Sequence, residues 1–95
     1  MKSIAFVPTA NASRYLQQLC KHFGHKIETR FDERTGTCVF PNSNVEMVAH
    51  ADRLEITVAA ADEDGLARGR DVVWSHLVRF AFREELAAPQ WDIAA

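Results

Sequence analysis

One amphipathic stretch does most to restrict the folds open to this chain: Asn11 to Lys26, Asn-Ala-Ser-Arg-Tyr-Leu-Gln-Gln-Leu-Cys-Lys-His-Phe-Gly-His-Lys. Ala12, Leu16, Leu19, Cys20 and Phe23 recur at i, i+4, i+7, i+8 and i+11, which is one stripe of a 3.6-residue helix. Arg14, Gln17, Gln18 and Lys21 fall opposite, and Tyr15 and His22 share a flank at the border of stripe and solvent. Asn11 is the expected N-cap, and Gly24 the expected stop in a left-handed conformation just past the helix end. A helix with a single apolar stripe must bury it against another layer.

The middle of the chain supplies that layer. His25 to Asp32 alternates, with Ile27, Thr29 and Phe31 facing one way. Glu33-Arg34-Thr35-Gly36 is read as a turn in which Gly36 takes positive φ. Thr37 to Phe40 follows with Cys38 and Phe40 inward, and Pro41-Asn42-Ser43-Asn44 is a turn cluster. Val45, Met47 and Ala49 alternate with Glu46, Val48 and His50; past Ala51-Asp52, Leu54, Ile56, Val58 and Ala60 alternate with Arg53, Glu55, Thr57 and Ala59. Period-two alternation gives four strands in an antiparallel meander with one apolar face. Ser3 to Val7 reads as a further strand, with Ile4 and Phe6 on one face and Pro8 ending it.

Asp62-Glu63-Asp64 opens a second helix, where acidic residues suit both capping and the helix dipole. Its stripe is Leu66, Gly69, Val73, Leu77 and Phe80, widened by Trp74 and Ala81, with His76 on the other edge. Gly65 and Gly69 each cost about 1 kcal/mol of helix propensity relative to Ala, which close approach of helix to sheet would explain. Trp91 is expected to pin the chain end to the body. The predicted architecture is α+β: β-α-β-β-β-β-α, one antiparallel sheet with two helices on one face, in a single domain over residues 1–95. That order resembles one half of the TATA-binding protein, and the likeness of order carries no function.

Composition excludes more than it assigns. With 11 Lys and Arg against 13 Asp and Glu, the net charge is −2, so nucleic acid is not an expected partner. No apolar run is long enough to span a membrane, and the first segment is too short for a signal peptide. Cys20 and Cys38 are isolated rather than a CxxC pair, which points to reduced, buried thiols and a cytoplasmic location. No nucleophile elbow, glycine-rich phosphate loop or His-Glu-x-x-His is present, so enzyme activity is not expected.

Cys20-x-His22-x-x-His25 looks like a ligand cluster, but on a continuous helix Cys20 and His22 point roughly 160° apart. His22, His25 and His76 remain candidate metal ligands, from the end of one helix, the next strand and the middle of the second helix. Against this stands the plainer reading of histidines bonded to backbone or carboxylates. Arg14, Lys21, Lys26, Arg79 and Arg83 could gather as a basic patch, or be solvated helix faces paired with Glu84 and Glu85. The candidate ligand site comprises Tyr15, His22 and His25 facing His76 and Arg79 across the helix pair, with Arg14 and Lys21 nearby.

Two motifs carry a resemblance that covers nearly the whole chain. Arg14-Tyr15-Leu16-x-x-Leu19-Cys20-Lys21-His22-Phe23-x-His25-Lys26 is followed later by His76-Leu77-x-Arg79-Phe80-Ala81-Phe82-Arg83-Glu84 and a late Trp91. Together they resemble the bacterial domain of unknown function 2218 family. The resemblance implies a small stand-alone protein, or a domain joined to siderophore-interacting flavin reductases, which release iron from ferric chelates. It thus makes a flavin reductase or other iron-handling protein the expected partner, and iron, zinc and haem the cofactors to try. The leading expectation is a non-enzymatic accessory or small-ligand-binding domain linked to iron or siderophore handling. The alternatives are a metal- or haem-binding protein using the histidines, and an interaction module on the open sheet face around Val39 and Val48.

Overall fold

Burial alternates along the strands as the sequence period requires, and it divides the sheet into a covered and an open face. In the computed structural model, which describes residues 1–94, the chain runs β1 (Lys2–Pro8), α1 (Ala12–Phe23), β2 (Glu28–Phe31), β3 (Thr35–Phe40), β4 (Ser43–Ala49), β5 (Arg53–Ala59), α2 (Glu63–Phe80) and β6 (Asp92–Ala94). Every strand pairing is antiparallel, in the order β2-β3-β4-β5-β1-β6. The predicted order is therefore present, with a short sixth strand added by the tail. β1 lies between β5 and β6, its Ala5 opposite Ile56.

Both helices cover one face. Leu16, Leu19, Cys20 and Phe23 of α1 and Leu66, Val73 and Leu77 of α2 pack with Cys38, Val45, Met47, Leu54, Ile56 and Val58. Phe80, expected in the same core, is only partly buried, because α2 ends there and the closing Ala81 takes the inward position instead. On β1 the inward residues are Ser3, Ala5 and Val7, so Ile4 and Phe6 lie on the open face. Trp91 packs on the core as expected.

Three local expectations are corrected. Asn11 makes no side-chain cap on α1, because its amide reaches Glu84 instead. Gly24 closes α1 in a right-handed conformation, and no glycine of the described residues has positive φ. Gly36 belongs to β3, not to the turn: the hairpin is held by Asp32, whose carboxylate accepts from the amides of Arg34 at 2.7 Å and Thr35 at 2.8 Å. That pair of bonds holds the Asp32 carboxyl below its usual range. Gly36 is glycine because Cys20 Sγ and Leu16 rest on it; a Cβ there would stand 2.8 Å from that sulfur. The glycines of α2 do mark close approach, since a Cβ at Gly65 would meet the Asn42 carbonyl at 2.6 Å.

Among the described residues, Val39 and Val48 do not adjoin on the open face. Val39 stands opposite Asn44 and Val48 opposite Thr35, at the two ends of the β3–β4 ladder. Among the described residues, no helix is long and apolar enough to cross a membrane.

Candidate functional site

The end of α1 and the middle of α2 meet over the Phe40 end of β3, and the sequence positions each side chain simply. His22 and Phe23 occupy the last turn of α1, and the short link to β2 carries His25, Lys26 and Ile27. Val72 and His76 are one turn apart on α2 and so share a face. Together with Phe40 these residues enclose a cavity of about 480 Å³. Phe23, Ile27, Phe40 and Val72, all buried or partly buried, make its apolar floor; His22, His25 and Lys26, all exposed, make its rim. Other concavities lie at the turns, one lined by Gln17, Asp32, Glu33 and Arg34 and another around Pro41 to Asn44 and the first residues of the chain.

The aromatic groups interlock. The His22 and His76 rings are 4.8 Å apart, and His76 meets Phe23 edge-on at 5.0 Å. Phe23 packs on Phe40 at 5.1 Å, and His22 on Phe80 at 5.8 Å. His76 Nδ1 lies 2.7 Å from the Val72 carbonyl, an acceptor, so that nitrogen carries the proton in the neutral ring and Nε2 keeps its lone pair. Desolvation beside these rings, and then repulsion from His76, His25, Lys26 and Arg79, lowers the His22 imidazole from its ordinary value. The site therefore offers neutral imidazole at neutral pH, an apolar floor and one free ammonium group.

The expected residues divide. His22, His25 and His76 do line one cavity, and Lys26 lies with them. Tyr15 does not: it is buried, and its hydroxyl donates to Glu84, which also accepts from Thr9 Oγ1 at 2.8 Å and Asn11 Nδ2 at 3.2 Å. Tyr15 and His22 share a helix flank, but only the N-terminal half of that flank is covered by the segment after α2. Arg14 stacks on the Tyr15 ring, Arg83 lies over Phe82, and neither Lys21 nor Arg79 lines the cavity. Of these five basic residues Lys26 alone lines the cavity, and Glu84 serves a hydroxyl and amide network. The fourth histidine, His50, bonds Glu55 at 2.9 Å.

Among the described residues, no three His, Cys, Asp or Glu side chains are arranged to hold a metal ion. His22, His25 and His76 share a wall without forming a complete ligand set. The floor residues Phe23, Ile27, Phe40 and Val72 were missed as site residues. One signal pointed to them: Val72 and His76 are four apart on the second helix, which places an apolar group beside a histidine.

Comparison with known proteins agrees with the fold. The NMR structure of PA4090 from Pseudomonas aeruginosa is similar, with a TM-score of 0.82 and 40% identity, over 98% of this chain and 96% of that one. No curated protein matches the chain. A family pattern described as "uncharacterized protein conserved in bacteria" matches residues 4–92, and the chain belongs to that family, DUF2218.

Proposed function

We propose that this protein is a non-enzymatic domain that binds a small, flat, largely apolar ligand with an anionic edge in the cavity between α1 and α2. One observation carries the reading: two imidazoles 4.8 Å apart and the ammonium of Lys26 rim an apolar floor of Phe23, Ile27, Phe40 and Val72. Ligand sites are typically apolar concavities with a few converging polar groups. Here the edge-on rings would pack against a planar ligand, and Lys26 with the rim imidazoles would meet its charge.

A second reading, metal or haem binding, draws on the free Nε2 of His76 beside His22. Because the histidines, among the described residues, are not arranged to hold a metal ion by themselves, such a metal would arrive with donors of its own, as in haem or a ferric chelate. That keeps the link to iron handling, and to a flavin reductase as partner, within the proposal.

The test uses anilinonaphthalene sulfonate as a flat aromatic anion, with ferric haem and zinc in parallel. Fluorescence enhancement by the folded protein should fall at least about tenfold in apparent affinity in His76→Ala and Lys26→Gln, a loss of about 1.4 kcal/mol. Circular dichroism should show both variants folded. Equal binding in wild type and both variants would remove the cavity from consideration. A haem spectrum or stoichiometric zinc binding lost in His76→Ala, with the dye unaffected, would favour the second reading.

A further inference from the structure

Beneath α1, away from the cavity, two thiols face each other inside the core. Cys20 comes from the last turn but one of α1 and Cys38 from the middle of β3; both are fully buried, both are free, and their sulfurs are 3.8 Å apart. Eighteen residues separate them in sequence, so the approach is made by the fold rather than by a local motif. The absence of a side chain at Gly36 leaves room for it, since a Cβ there would stand 2.8 Å from Cys20 Sγ.

We infer that Cys20 and Cys38 are a redox pair, reduced in the resting protein and joined as a reversible intramolecular disulfide when the protein meets a peroxide. A disulfide needs its sulfurs at about 2.05 Å, so they must close by about 1.8 Å, a distance that side-chain rotation on both partners can share. Either sulfur can donate to the other across this contact; with the proton on Cys38, its thiol favours thiolate at Cys20, and burial beside Cys20 raises the Cys38 thiol. Peroxide oxidises the Cys20 sulfur to a sulfenic acid with release of water. The Cys38 sulfur then displaces the hydroxyl, forming the S–S bond and releasing a second water, so that two thiols and one peroxide give one disulfide and two waters. Both sulfurs are buried, so peroxide needs a local opening; Cys20 lies near the end of α1, which is closed by the Gly24 amide on the Cys20 carbonyl at 2.8 Å. Helix ends open locally far more often than whole domains unfold.

The bond would staple α1 to β3 and close the segment that carries His22, Phe23, His25, Lys26 and Ile27. Its formation does not depend on what the cavity holds.

The experiment treats reduced native protein with hydrogen peroxide, then blocks remaining thiols and digests it without reductant. The expected result is monomeric protein lighter by two hydrogens, one peptide pair joined through Cys20 and Cys38, and full reversal by dithiothreitol. The thermal midpoint of the oxidised form should rise by at least about 5 °C through loop closure. Cys20→Ala should give no cross-link at the same peroxide dose; if it fails to fold, the peptide map of the wild type still decides. Oxidation only after unfolding in urea, sulfinic or sulfonic products, or dimers joined between chains would each overturn the inference.

Discussion

Replacing Gly69 with Ala tests the packing of α2 on the sheet most directly. In an exposed helix the change stabilises by about 1 kcal/mol, because Ala loses less backbone freedom and is the better helix former. Here the added carbon would stand 2.6 Å from Val58 Cγ1 and 2.9 Å from Ser43 Oγ. Carbon atoms settle at about 3.5–4.0 Å, so the overlap with Val58 is about 1 Å. Val58 cannot yield, since it is fully buried on β5 and β-branched. The helix must step back instead, and a gap of that size forfeits a quarter to a half of each contact it opens. Overpacking of this kind costs typically 1–3 kcal/mol. Set against the propensity gain, the expected outcome is a net loss centred on about 1 kcal/mol and no larger than about 2 kcal/mol, or about 4–8 °C in thermal midpoint for the central value. Urea and thermal unfolding followed by circular dichroism would measure it. A variant as stable as the parent, or more stable, would refute the account of Gly69 as a contact residue.

Two further outcomes are expected. Tyr15→Phe removes one of three donors to the partly buried Glu84 carboxylate and keeps the buried ring; it should cost about 1–2 kcal/mol in urea denaturation, and a loss above about 3 kcal/mol would mean that the hydroxyl does more than serve Glu84. In an NMR titration, His22 should bind its proton below the ordinary value of 6.5, and His76→Ala should move that midpoint upward. Because the folded value is the lower one, the unfolded chain takes up the proton first, so this group's contribution is present above pH 6.5 and is lost as pH falls through the folded midpoint. A midpoint at or above 6.5 would contradict the crowding of cationic groups around His22.

Periodicity alone determined most of the architecture. The two helix stripes and the alternating strands place Leu16, Leu19, Val73, Leu77, Ile56 and Val58 in one core, because a side chain's face follows from its position in a regular element. The thiols of Cys20 and Cys38 were legible as inward for the same reason, and the grouping of His22, His25 and His76 followed from two helices on one sheet face. What the sequence left open are matters of distance and of competition between partners. Gly36 reads as a turn residue until α1 is seen resting on it, while Asp32 makes the turn by taking two amides that a one-dimensional pattern does not pair. Tyr15 and His22 look equivalent on a helical wheel, yet Glu84, sixty-nine residues from Tyr15, covers one and not the other. The approach of the two sulfurs and the apolar floor under the histidines were likewise decided only in the tertiary structure. Each depends on how closely α1 and α2 descend onto the sheet, and that height is set by glycines and side chains from separate elements packed at once.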